Sequence, residues 1–79
     1  MQYVANPVVV TAYKIKQIFP QFEDGTPLLL DNDTQVVATN EMISRMIPVI
    51  GDYWVIQADD YIYLNPKEVF ERKYSPIAA

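Results

Sequence analysis

The sequence predicts an α+β domain: a small antiparallel β-sheet of about four to five strands with two short helices, one central and one C-terminal. Three observations predict it. β-Branched and aromatic residues recur in short blocks, as in residues 7–15 and 53–64. Turn residues separate the blocks, among them Asp24-Gly25 and Gly51-Asp52. Two other stretches change to helical spacing, residues 39–48 and 66–74. The length of 79 residues bounds the chain to one compact domain, 1–79. A chain this short buries only ~60% of its unfolded surface. It contains no Cys, so disulfides are excluded, and no His, so a Cys/His zinc site is excluded too. A rich apolar core or self-association is what remains to stabilise it. The hydrophobic fraction of 51% and aromatic fraction of 13% favour an ordered fold.

PVVVTAYKI, residues 7–15, reads as the first strand. Val8, Val10 and Ala12 fall on one face, and Val9, Thr11, Tyr13 and Ile15 on the other. Apolar groups on both faces predict an interior strand or one covered by a partner. Residues 19–27 read as a loop around Asp24-Gly25. Leu28–Leu30 and Gln35–Thr39 read as two short strands about a polar turn at Asp31-Asn32-Asp33. That turn is not a calcium loop. Counted from Asp31, the positions that need Gly and Glu hold Val36 and Met42.

TNEMISRMIP, residues 39–48, reads as the central helix. Thr39 or Asn40 caps its first N–H groups and Glu41 suits its positive end. Met42, Ile43, Met46 and Ile47 form its apolar stripe, and Pro48 ends it. Gly51-Asp52 then turns into YWVIQA. Tyr53, Val55 and Gln57 share one face, Trp54, Ile56 and Ala58 the other. Asp59-Asp60 turns into YIYL, which completes a hairpin. Asn65 is placed as a helix cap, Pro66 at the first helical position, and Glu68 at capping-box spacing. The C-terminal helix runs from Pro66 to about Tyr74, with Val69, Phe70 and Tyr74 as its apolar side and Lys67–Glu71 as an i, i+4 pair. Residues 75–79 read as a tail.

Charge narrows the function. The net charge is −4, and the six basic residues Lys14, Lys16, Arg45, Lys67, Arg72 and Lys73 are scattered among ten acids. Duplex nucleic acid needs clustered cations, so it is not an expected partner. MQYVANPVVV lacks the basic region and apolar core of a signal peptide, and no apolar run reaches the ~20 residues that span a bilayer. No membrane association is expected.

Two stretches resemble a known group. NPVVVTAYKI is similar to the Pro-Val-Val first strand of a widespread group of small bacteriophage and prophage proteins, mostly of unassigned function. PVIGDYWVIQADDYIYLNPKEVFERKYSPI resembles their closing signature. That signature has a Gly-Asp turn, an aromatic hairpin, a Pro-started helix with an acidic-aromatic pair (here in Val69-Phe70-Glu71), and a tail beginning near Tyr74. The resemblance covers about half the chain and leaves residues 19–40 as the variable part. It implies a phage or prophage origin and a role in the host bacterial cytoplasm. It brings no catalytic residues.

The residues themselves also point away from catalysis. Ser–His and Cys–His nucleophiles are excluded by composition. Ser44 and Ser75 lie in no nucleophile elbow, and Gly25 and Gly51 are too few for a phosphate loop. Asp59-Asp60 is the one acid–base candidate, but adjacent strand-end residues point apart. No enzyme activity, cofactor or metal is expected. Binding is the stronger class. Arg45, Tyr53, Trp54, Tyr61, Tyr63, Lys67, Arg72 and Lys73 are the candidate binding residues: flat rings with polar handles, and cations able to contact an anion. The expected role is that of a phage accessory protein, a small homo-oligomer that binds and neutralises a host component. That component is a host defence protein or a small anionic, nucleotide-type signal. A structural or assembly role in the virion is the alternative.

Overall fold

The computed structural model describes residues 1–5 and 8–77. The element order is β1 (Gln2–Ala5), β2 (Val8–Ile18), β3 (Gly25–Leu30), β4 (Gln35–Thr39), α1 (Asn40–Arg45), β5 (Tyr53–Gln57), β6 (Ile62–Asn65), α2 (Lys67–Lys73) and β7 (Ser75–Pro76). All pairings are antiparallel. The expectation of an α+β fold with about four to five strands is corrected. The described chain is mostly antiparallel sheet, with seven strands and two helices of six and seven residues. The two strands not foreseen, β1 and β7, lie at the chain ends and pair with each other, Val4 opposite Ser75. They are four and two residues long, too short for alternation to register.

β2 organises the sheet. One edge pairs first with β1 and then, beyond an irregularity between Ile15 and Gln17, with β3. Its other edge pairs with β5 from Val10 to Lys14. Each of its faces meets a core, although Val8 and Val9 at its start stay exposed. One face holds Tyr3, Val10, Ala12, Tyr53, Val55, Phe70 and Tyr74. The other holds Ile15, Leu28, Leu30, Ala38 and Trp54, with Met42 and Ile43 of α1 against it. The hairpin β5–β6 therefore feeds both cores by simple alternation: Tyr53 and Val55 go one way, Trp54 the other. The first core is aromatic. Phe70 stacks on Tyr53 at 4.1 Å and on Tyr74 at 4.8 Å, and Tyr3 meets Phe70 edge-on at 4.9 Å. Offset and edge contacts of this kind add ~0.5–1.5 kcal/mol each beyond area burial.

Five local expectations are also corrected. α1 stops at Arg45, not near Pro48, so Ile47 leaves the helical stripe and is 79% exposed. Pro48 explains this. It disfavours helical dihedrals at the residue before it. α2 begins at Lys67 with Pro66 at the cap, and Asn65 makes no cap bond. The buried Asp52 carboxylate takes that place, accepting the Lys67 N–H at 2.9 Å and the Val49 N–H at 2.9 Å. Finally, Glu71 is not joined to Lys67. It accepts the Tyr53 hydroxyl at 2.7 Å and lies 3.9 Å from Lys14. Val69, placed on the apolar side of α2, is 46% exposed, because Phe70 and Tyr74 already fill the face that meets the sheet. The expected tail is part of the fold as far as Ile77, whose N–H donates to Gln2 O. Residues 6, 7, 78 and 79, which include the start of the expected first strand and the end of the tail, lie outside the described residues.

Candidate binding surface between α1 and β6

Three of the expected binding residues come together. Arg45, in the last turn of α1, donates from its guanidinium to the Tyr61 hydroxyl at 3.1 Å. Tyr61 stacks on Tyr63 with ring centroids 6.0 Å apart. The second guanidinium nitrogen of Arg45 pairs with Glu41, one turn back on the helix. The loop-to-helix cap places Arg45: Thr39 accepts the Met42 N–H at 3.2 Å and starts the helix from the end of β4. A cavity of about 50 Å³ lies beside the cluster, lined by Met42, Arg45, Met46, Ile62, Tyr63 and Leu64. Drug-sized or nucleotide-sized ligands occupy ~300–1,000 Å³. This cavity holds one or two small groups, not a nucleotide.

Two of the expected binding residues are withdrawn. Tyr53 is 2% exposed and Trp54 is 5% exposed, each in the core of its own face. Both lie at the start of β5, an interior strand between β2 and β6, where neither ring can reach a ligand. The remaining cations are apart from the cluster. Lys67, Arg72 and Lys73 belong to α2, which packs on the opposite face of the sheet through Phe70. Lys73 sits over the Tyr74 ring at 5.5 Å. Asp59 and Asp60 form the β5–β6 turn, where Asp59 accepts the Tyr61 N–H at 3.1 Å and Asp60 takes φ 66°. Their roles are in the turn.

Tyr63 and Tyr53 are held neutral. Burial, then a hydrogen bond to Tyr74, pushes the Tyr63 hydroxyl up to about 12. Burial, then the hydrogen bond to Glu71, lifts Tyr53 well above the ordinary tyrosine range. Neither is tuned toward acid–base work near neutrality.

One feature of this surface escaped the sequence reading. Met46–Ile50 follows α1 as an irregular segment, and Ile47, Val49 and Ile50 are 79%, 61% and 66% exposed. Three large aliphatic side chains in one loop form the kind of patch that marks an interaction site. The signal is MIPVI ahead of Gly51, of which Met46 and Ile47 read as helical stripe while Val49 and Ile50 fall in no element. No known protein family, curated protein or solved structure matches the chain. Among the described residues, no helix is long and apolar enough to cross a membrane.

Proposed function

We propose that this is a non-catalytic phage or prophage protein that works in the host bacterial cytoplasm. It binds and neutralises a host protein, and does so as a small homo-oligomer. The exposed aliphatic residues Ile47, Val49 and Ile50, which follow Arg45 in the chain, are the observation that supports this reading most. An apolar centre with Arg and Tyr at its border is the usual composition of a protein-binding surface. The cavity beside Arg45 is too small for a nucleotide, so at this surface a protein partner is favoured.

The test compares the wild-type chain with an Ile47→Asp/Ile50→Asp variant. Both side chains are largely solvated, so the two proteins should melt within a few degrees of each other. After incubation with host-cell extract, native mass spectrometry should show one dominant host protein on the wild type and none on the variant. A discrete small-molecule mass on the wild type would replace the protein partner with a nucleotide-type ligand. Recovery of the chain in purified phage particles would turn the reading to virion assembly.

A further inference from the structure

We infer that the open cleft between the start of β2 and the β5–β6 turn receives a lysine or arginine side chain of a partner protein. This surface lies at the other end of β5 from the Ile47–Ile50 segment of the proposed function, and its test needs no host extract.

The cleft arises from a difference in strand length. β2 starts at Val8, but β5 pairs with it only from Lys14 opposite Tyr53 to Val10 opposite Gln57. The chain then enters its turn, so Val8 and Val9 run on past the end of β5 and are 48% and 43% exposed. Val8, Val9, Gln57, Ala58 and Asp59 line an open cleft of about 470 Å³. A second hollow adjoins it through Val9, Gln57 and Ala58 and has Asp60 at its border. Alternation puts Val9 on the same sheet face as Thr11 and Ile56, away from α2. The layer that covers that face packs on Ile15 and Trp54, farther along the strands, and Val9 is not part of its core. The floor is therefore aliphatic and uncovered, and both acids stand at its turn end.

Charge selects the occupant. The turn uses one carboxylate oxygen of Asp59, on the Tyr61 N–H, and the backbone N–H of Asp60, which donates to Gln57 O at 2.9 Å. Among the described residues neither carboxylate has an ion partner, and no basic residue lines the cleft. By volume the cleft would admit a nucleotide, but two adjacent carboxylates repel its phosphates. A lysine or arginine matches both parts of the surface. Its methylene stem lies along apolar side chains while its charged head reaches a carboxylate. A small free cation lacks the stem, and an aliphatic side chain lacks the head. The cleft is open to solvent, so the side chain enters while its own backbone stays at the surface. The net charge of −4 draws a cationic partner toward it.

Backbone-amide NMR on the whole chain tests this, with acetyl-Gly-Leu-Lys-Leu-Gly-amide as the probe. Its titration should shift the amides of Val9, Ala58, Asp59 and Asp60 in a saturable way. The peptide with norleucine in place of lysine should bind about threefold to tenfold more weakly, and the peptide with glutamate there should not bind. Asp59→Asn/Asp60→Asn should weaken the lysine peptide by a similar factor. Asparagine keeps the turn, because its side-chain oxygen accepts the Tyr61 N–H and its backbone tolerates the positive φ of position 60. Lysine-peptide shifts that are absent, that fall only elsewhere, or that the glutamate peptide reproduces would overturn the inference. Unchanged affinity in the asparagine variant would do the same. Neither result touches the Ile47→Asp/Ile50→Asp test, so the two surfaces stand or fall separately.

Discussion

Trp54 was a candidate binding face, and its neighbours decide otherwise. It shares a cluster with Ile15, Leu28, Leu30 and Ala38, every member of which is buried. Trp54→Ala should therefore cost ~3–5 kcal/mol and unfold the domain in thermal or denaturant melts. A folded variant that only fails to bind would reverse that assignment. Gly25 has a different constraint. A Cβ there would lie 2.3 Å from the Ala38 carbonyl oxygen. Gly25→Ala should destabilise by more than the few tenths of a kcal/mol usual for a surface change, since backbone must move to admit the methyl. The buried tyrosines make stability depend on alkaline pH. Tyr53 and Tyr63 are both raised above 10.0, the ordinary value, so folding favours their neutral forms. Stability from this source is complete below about pH 10 and declines as pH rises through about 12. Denaturant midpoints measured along that range should fall, and Tyr63→Phe should soften the fall.

The elements show where local rules compete. The start of α2 reads Asn65-Pro66-Lys67-Glu68, which fits a capping box, yet Asp52 provides the acceptor from fifteen residues away. A carboxylate already buried at the turn before β5 reaches the Lys67 N–H because the hairpin brings both ends together. Asp52→Ala should cost ~1–3 kcal/mol, since two partly buried N–H groups lose their partner. Asn65→Ala should cost far less, and paired melting curves of the two variants check the contrast. α1 reads as a longer amphipathic helix for the opposite reason. Its apolar stripe continues past Arg45, but Pro48 shortens the helix and releases Ile47 to the surface. The same sequence feature that suggested core packing thereby becomes an exposed patch.

For the molecule as a whole, β2 and β5 are the structural centre. They separate and join the two cores, and their long register runs from Val10–Gln57 to Lys14–Tyr53. Amides such as those of Thr11 and Val55 should exchange with solvent only through global unfolding. Those of α1, which has no fully buried residue, should exchange by local opening. Hydrogen exchange read residue by residue checks this, and equal protection in α1 and β5 would contradict it. The radius of gyration, 12.3 Å, exceeds the roughly 11.6 Å expected of a chain this long, and the extents of 37 × 22 × 22 Å are elongated. So open a shape leaves much apolar surface for a small chain to cover by association.

Most strand and helix positions were legible because their signals are local. β-Branched runs, Asp-Gly and Gly-Asp turns, Thr39 before the helix and Pro66 after the hairpin act within a few residues. The two faces of β2 and β5 were legible for the same reason, since alternation is a property of adjacent residues. Of the candidate site, Arg45, Tyr61 and Tyr63 stand together in the structure, but nothing local shows that Arg45 reaches Tyr61 across sixteen positions. Tyr53 and Trp54 carry the same chemistry as Tyr61 and Tyr63, and one strand farther from the edge buries them. Composition excludes Cys and His chemistry from this sequence, and spacing places most of its elements. Which rings face solvent, which carboxylate caps α2 and which edge stays open depended on long-range pairing, because burial and partner choice belong to the assembled sheet and not to neighbours in the chain.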